Sequence, residues 1–224
     1  MSSLFYASRV AESQVMDEPG EVSAYDEAAA ASHLDMLDTV CASQILAMSA
    51  EPGWWLDAGC GPGQIALKIL RQKPCRIVGI DLAFNMLLRA RERAAAGDSR
   101  HALYLVQADA ARLPFKSGVF DLVYSNSLLH HAADPAALFC ESARVMKSAG
   151  KFFLRDLIRP LRWRLNKHIE HFGRNYSGAM KRLFDASVRA AYTLPEVRQI
   201  LRDTALCRSR VSREGGCYLV IRKL

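Results

Sequence analysis

The apolar positions change period several times along this chain, and each change marks an element. Ala30, Leu34, Leu37, Val40, Cys41, Ile45 and Leu46 recur at helical spacing, which predicts a helix over about 27–49 with one face packed on a sheet. Short apolar runs then alternate with helical stretches. Runs at 54–58, 76–81, 103–107, 119–125 and 151–156 predict strands, and 64–72, 84–96 and 135–147 predict helices, the last opened by Asp134-Pro135. Such alternation implies an α/β fold with a parallel sheet covered on both faces.

Beyond Asp156 the alternation lapses. A basic helical stretch runs from Arg159 to Phe172, Gly173 stops it, and 176–191 reads as a second helix. Thr193-Leu-Pro-Glu196 has the form of a capping box and predicts a helix over about 194–204. Runs at 205–211 and 217–222 flank Glu214-Gly-Gly216 and predict a terminal hairpin. Residues 1–26 are mostly polar, with Pro19-Gly20, and read as an arm that folds over a site; 27–224 reads as one domain.

The most informative segment is Leu56-Asp-Ala-Gly-Cys-Gly-Pro-Gly63, where a strand passes through a tight turn into a helix. Glycines there let a ligand approach bare backbone. The spacing departs from the dinucleotide fingerprint, because Gln64 stands where that pattern has a small residue and Pro62 has no N–H to offer a phosphate. A loop short of donors and preceded by Asp57 suits a cationic ligand better than an anionic one. Asp57, Asp81 and Asp109 each fall at or just after an apolar run, which places them at strand C-termini, the edge where open α/β sheets bind ligands. An ionised Asp81 accepts two hydroxyl donors at once, as a ribose diol requires. The bland alternative for each Asp is a helix cap, and Asp57 also reads as a residue that orders the loop.

The octapeptide resembles motif I of the class I S-adenosylmethionine-dependent methyltransferases, and four further segments match that family in order: Val78-Gly-Ile-Asp81, Val106-Gln-Ala-Asp109-Ala110, Phe120-Asp-Leu-Val-Tyr-Ser-Asn126 and Arg144-Val-Met-Lys-Ser-Ala-Gly150. The resemblance implies a Rossmann-like, doubly wound, mostly parallel seven-stranded sheet with a C-terminal antiparallel hairpin. It also implies a helical lid, here 157–193, inserted after the fifth strand. S-adenosyl-L-methionine is the implied cofactor, held by Gly59, Cys60, Gly61, Asp81, Asp109, Ala110 and Asn126, with Asp57 at the loop and Tyr25 over the methionine moiety.

Composition narrows the partners. Residues 1–150 hold 13 Lys and Arg against 17 Asp and Glu, net −4; residues 151–224 hold 17 against 6, net +11. That asymmetry points to an acidic group on a small acceptor, or alternatively to tRNA or rRNA phosphates, with a solvated basic face as the plain alternative. No stretch is long and apolar enough for a membrane span or a signal peptide, so a cytoplasmic enzyme is expected. Six cysteines without a C-x-x-C pair and six histidines without ligand spacing suggest neither disulfides nor a metal.

For the chemistry, Ser125-Asn-Ser-Leu-Leu-His130-His131 ends the fourth strand. A turn begun near Ser127 would place His130, or His131, one turn above Asn126, where a base could deprotonate a hydroxyl or amine acceptor. The alternative is one packed histidine and one bonded to a loop. Arg155, Asp156 and Arg159 put both signs of charge at the edge of the fifth strand, as an acceptor site or as a structural ion pair.

Overall fold

The computed structural model describes residues 5–12, 17, 20, 32–48, 52–97 and 102–224. Seven strands, β1 (Trp54–Ala58), β2 (Arg76–Asp81), β3 (Leu103–Gln107), β4 (Phe120–Asn126), β5 (Met146–Leu157), β6 (Arg210–Glu214) and β7 (Tyr218–Lys223), form one sheet in the order β3-β2-β1-β4-β5-β7-β6. All are parallel except β7, which pairs antiparallel with β5 and β6. The order reverses at β1, so β1 and β4 diverge in their connections and leave a crevice at their C-terminal ends, where such sheets take ligands.

The helices are α1 (Ser32–Leu46), α2 (Gln64–Leu70), α3 (Phe84–Ala96), α4 (Pro135–Val145), α5 (Leu165–Phe172), α6 (Gly178–Ala190) and α7 (Leu194–Leu201). They cover both faces. Leu56, Val123, Phe139, Phe152 and Leu219 pack on one side, and Ile45, Trp55, Ile69, Leu122 and Phe153 on the other. Adjacent positions of one strand, Leu56 and Trp55 for example, thus feed opposite cores, as the two-residue period of a strand requires. α5 and α6 form the insertion after β5 and share a smaller apolar cluster built around Leu165, Ile169, Phe184 and Val188.

The predicted fold is present, with local differences. β5 starts at Met146 rather than 151, because α4 ends at Val145 and the next residues join β4 through a register shift between Phe120 and Leu122. The basic stretch from Arg159 is not one helix: residues 158–161 are extended, bridged to Tyr6 and Tyr192, and a 3-10 turn at Arg162–Arg164 precedes α5. The first hairpin strand begins at Arg210, since hydrogen bonds at Thr204, Cys207 and Ser209 wind the preceding residues into turns. Thr193 and Glu196 form the capping box that opens α7.

The N-terminal arm is anchored where it is described. Arg162 N–H donates to the Phe5 carbonyl and Val10 N–H to the Arg189 carbonyl, which lays residues 5–12 along the insertion. Further on, the Asp17 carboxylate accepts from Asn85 N–H in the first turn of α3. Tyr25 lies outside the described residues.

Beneath the loop after β1, the absence of a side chain at Gly79 on β2 sets a limit. A Cβ there would stand 2.9 Å from Cys60 Sγ and 3.2 Å from Leu105 Cδ2. Gly79→Ala is therefore expected to lower the unfolding free energy by about 1–3 kcal/mol through overpacking, read by urea denaturation, and to weaken ligand binding by lifting the loop. An Ala variant as stable as wild type would show that the loop moves freely.

Candidate active site

The loop that leaves β1 is laced to β2. Gly59 and Cys60 N–H both donate to the Ile80 carbonyl, at 2.9 and 2.8 Å, and Gly61 N–H donates to Asp81 Oδ2 at 2.8 Å. Gly59, Gly61 and Gly63 have φ of 73°, 51° and 77°, values that only glycine adopts without strain. With these donors spent inside the protein and none on Pro62, the turn cannot cradle a phosphate. It can still be approached closely, since a Cβ on Gly61 would meet nothing within 4 Å.

Asp81 ends β2 with both carboxylate oxygens fixed by backbone, Oδ2 by Gly61 and Oδ1 by Ala83 N–H at 2.9 Å. Each oxygen keeps a lone pair for an incoming hydroxyl. Burial raises its pKa, while the bonds from Ala83 and Gly61 oppose that rise. Asp109 lies two residues past β3, its Oδ1 accepting from Ala111 N–H at 2.8 Å, and with Leu82, Ala110 and Leu138 it walls a hollow beside Asp81. These residues fit a nucleoside: a diol acceptor, a flat apolar hollow and an acid at its rim.

The cleft continues along β1 and β4 to the insertion and encloses, mouth included, about 1290 Å³ of empty space. At its floor Asp57 is 3% exposed, and burial lifts its pKa to about 8, a rise that the nearby Tyr124 hydroxyl opposes. A carboxyl so placed ionises most readily opposite a bound cation.

Ser127, with φ of 59°, turns the chain sharply at the tip of β4, a conformation that costs a non-glycine residue about 1 kcal/mol or more. The turn delivers the 3-10 helix Leu129–His131 over the cleft. Asp156 holds it there: its Oδ2 accepts from Leu129 and His130 N–H at 2.6 and 3.3 Å, and its Oδ1 lies 2.6 Å from His130 Nδ1. Burial works against a charged His130, but Asp156 and then Glu12 outweigh it and raise the pKa. His131 stacks on His130 with ring centroids 4.2 Å apart, and both line the cleft.

The remaining expected residues divide. Arg155 lines the cleft, its guanidinium bonded to Asn126 Oδ1 at 2.7 Å and the Leu37 carbonyl at 3.0 Å and lying over the Tyr218 ring. Asn126, whose Oδ1 accepts that bond, also lines the cleft. Asp156 acts through His130 rather than facing an acceptor. Arg159 does not line the cleft: it pairs with Glu196 at 2.5 and 2.7 Å, donates to the Ala191 carbonyl and also reaches the Ala7 carbonyl. Other C-terminal cations are similarly engaged, Arg222 by Glu214, Arg189 by Asp185 and Arg213 by the Gly216 carbonyl. Several C-terminal cations are thus held within the fold, although three of them pair with acids of the same segment and so leave its net +11 unchanged.

Two acids near the histidines and Arg155 were not singled out by the sequence pattern. Asp38, buried and pushed up to about 6 by burial against the pull of Arg155, sits on the apolar face of α1 between Leu34 and Cys41, and that misplaced acid was a usable signal. Glu12 approaches both histidines from the arm, and no local pattern marks it.

Comparison with known proteins agrees with this geometry. A family model described as a methyltransferase domain matches residues 56–154. A malonyl-[acyl-carrier protein] O-methyltransferase of Legionella pneumophila is 40% identical over 96 residues, covering 42% of this chain and 33% of the relative. A 27-O-demethylrifamycin SV methyltransferase of Amycolatopsis mediterranei is 31% identical over 103 residues, 46% and 38% of the two chains. The chain thus spans little more than a third of these relatives' length. A SAM-dependent methyltransferase structure from Aquifex aeolicus superposes over 92% of this chain and 97% of its own with a TM-score of 0.65, at 16% identity, a likeness of fold. Among the described residues no helix is long and apolar enough to cross a membrane.

Asp57 gives a pH test. Its folded pKa of about 8 exceeds the ordinary 3.8, so between those values the native protein holds a proton that the unfolded chain has lost, and stability falls as pH rises. Asp57→Asn, which cannot ionise, is expected to lose less thermal stability than wild type between about pH 5 and about pH 9. Equal losses in the two proteins would mean that Asp57 is already ionised at neutral pH.

Proposed function

With a class I S-adenosyl-L-methionine-dependent methyltransferase domain built around residues 56–154, we propose that this chain is an enzyme that transfers a methyl group to a small acceptor bearing an acidic group. One observation carries the reading: a single cleft has the glycine loop with Asp81 at one end and the His130–Asp156 pair at the other. The cofactor supplies a methyl already activated on a sulfonium, so that the C–S bonding pair returns to sulfur as the acceptor's lone pair takes the methyl.

The protein has correspondingly little covalent work to do and contributes mainly alignment and a place for the acceptor's proton. Asp81 accepts the ribose hydroxyls, Asp109 and Ala110 border the base, and Gly59, Cys60 and Gly61 bring bare backbone up to the ligand. Asp57 sets a negative charge near the cationic end. At the far end, Asp156 holds His130 Nδ1 as the donor, which fixes the tautomer and leaves the Nε2 lone pair to take a proton from an acceptor O–H or N–H. The acidic group is supported by the Arg155 guanidinium in the cleft wall and by the malonyl group that the Legionella relative's name prints. The helices α5 and α6 serve as the lid that selects the acceptor.

Asp81→Asn keeps the shape of the side chain but loses the charged hydrogen bonds, and should weaken S-adenosyl-L-methionine binding more than tenfold, about 1.5–3 kcal/mol, by calorimetry. Unchanged affinity would remove the nucleoside from this end of the cleft. With an acceptor in hand, His130→Ala is expected to slow turnover by about 10²–10⁴ while cofactor affinity stays near wild type. Full turnover in that variant would leave alignment as the whole of the catalysis.

A further inference from the structure

Three side chains that the fold alone brings together converge at the acceptor end of the cleft. Glu12 comes from the arm, and His130 and His131 from the turn after β4. Glu12 Oε2 lies 3.9 Å from His130 Nε2 and 3.9 Å from His131 Nδ1, and one donor atom from each of the three falls within 4.8 Å of the other two. All three are mostly buried, with side-chain exposures of 11%, 3% and 12%. Ligand atoms around a tetrahedral zinc ion, at bonds of about 2.0–2.2 Å, stand about 3.3–3.6 Å apart, so the two Glu12 distances need to shorten by about 0.3–0.6 Å and the histidine pair by no more than about 1.5 Å to close the set.

We propose that Glu12, His130 and His131 form a binding site for a divalent first-row cation of the zinc type, open on the cleft side to an oxygen of the acceptor. The two-histidine, one-carboxylate set is of the kind used at open, reactive metal sites rather than closed structural ones. Its strongest support is the Asp156–His130 bond. A metal-bound histidine ordinarily gives its other ring nitrogen to a carboxylate, which fixes the tautomer and turns the lone pair toward the metal. Here Asp156 takes Nδ1 at 2.6 Å and two backbone N–H groups besides, so the ring's direction is set before any ligand arrives.

The charges agree. Asp156 and Glu12 supply two negative charges and the nearby Arg9, which donates to the His130 carbonyl and stacks on Tyr192, one positive. A dication leaves the ensemble with a net positive charge, which an anionic acceptor oxygen would neutralise. Bound there, the cation would orient the acceptor and favour its deprotonated form, the same service that a lone histidine base provides.

This inference rests on the reading of this end of the cleft as the acceptor site, but its test does not need turnover. The full chain, freed of metal with a chelator, is titrated with Co²⁺ and with Zn²⁺ by calorimetry and, for Co²⁺, by visible absorption, and binding of S-adenosyl-L-methionine is measured in parallel. The expected result is one saturable equivalent whose Co²⁺ spectrum lacks a thiolate charge-transfer band, with affinity falling at least tenfold in both Glu12→Gln and His131→Ala. Melting curves establish that the variants are folded, and the wild-type cobalt spectrum stands as a reading independent of either. No saturable binding, equal binding in folded variants, or a thiolate band that places the ion on cysteine would overturn the proposal. Loss of cofactor binding with the metal equivalent intact would instead sink the methyl-transfer reading and leave the metal site standing.

Discussion

Asp156 is the residue on which the reactive end of the molecule depends. Buried at the end of β5, its carboxylate accepts from two consecutive backbone N–H groups of the 3-10 turn and from the His130 ring. A buried carboxylate survives only when its lone pairs are used, and removing one partner of such a cluster costs far more than the pair itself contributes. The arrangement therefore works in both directions. The turn is held over the cleft because Asp156 must be satisfied, and Asp156 can be buried because the turn satisfies it. The left-handed backbone at Ser127 is tolerable for the same reason, since its cost is small beside that of an unpaired buried charge.

The cofactor end is built on the opposite principle. There the acids are kept partly unsatisfied: Asp81 uses one lone pair of each oxygen on its own backbone, and Asp57 is buried so far that its pKa rises to about 8. Both acids stay open to a further partner, which the proposed cofactor would supply. The glycine loop is the inverse case. It has spent its donors on β2, so it contributes shape and proximity without charge. One cleft thus carries an end whose buried polar groups are already satisfied and an end whose acids are not.

The sheet, its order of elements and the strand-end positions of the acids were legible because each depends on short stretches: a strand, a turn and an acid within some ten residues. Asp57, Asp81 and Asp109 fall where the apolar runs place them, and the capping box at Thr193 formed as written. What was not legible depends on contacts between distant segments. Arg159 reads as a site residue beside Arg155, yet Glu196 and the Ala7 and Ala191 carbonyls claim it, partners that lie 37, 152 and 32 residues away. Asp156 reads as an acceptor contact because its role runs through His130, across a strand pair. Histidine spacing gave no hint of a ligand set, since the third member, Glu12, stands 118 residues before His130. The terminal hairpin was found, but its first strand was misplaced by five residues because hydrogen-bonded turns at 204–209 look apolar in sequence.

Arg159 also explains how access to the cleft is organised. Its guanidinium ties three pieces together: the arm at Ala7, the end of the insertion at Ala191 and the first turn of α7 at Glu196. Arg9 makes a second tie, donating to the carbonyls of Ala190 and His130. The arm thereby carries Glu12 to the histidines from the side of the insertion, while Asp17 is fastened to the first turn of α3. Residues 5–12 and Asp17 are thus anchored to different elements, the former to the insertion and the latter to α3. The proposed acceptor would meet Glu12 and the two histidines as well as Arg155 on the sheet, charges of both signs that suit a small molecule with a proton to lose and an anionic group to anchor.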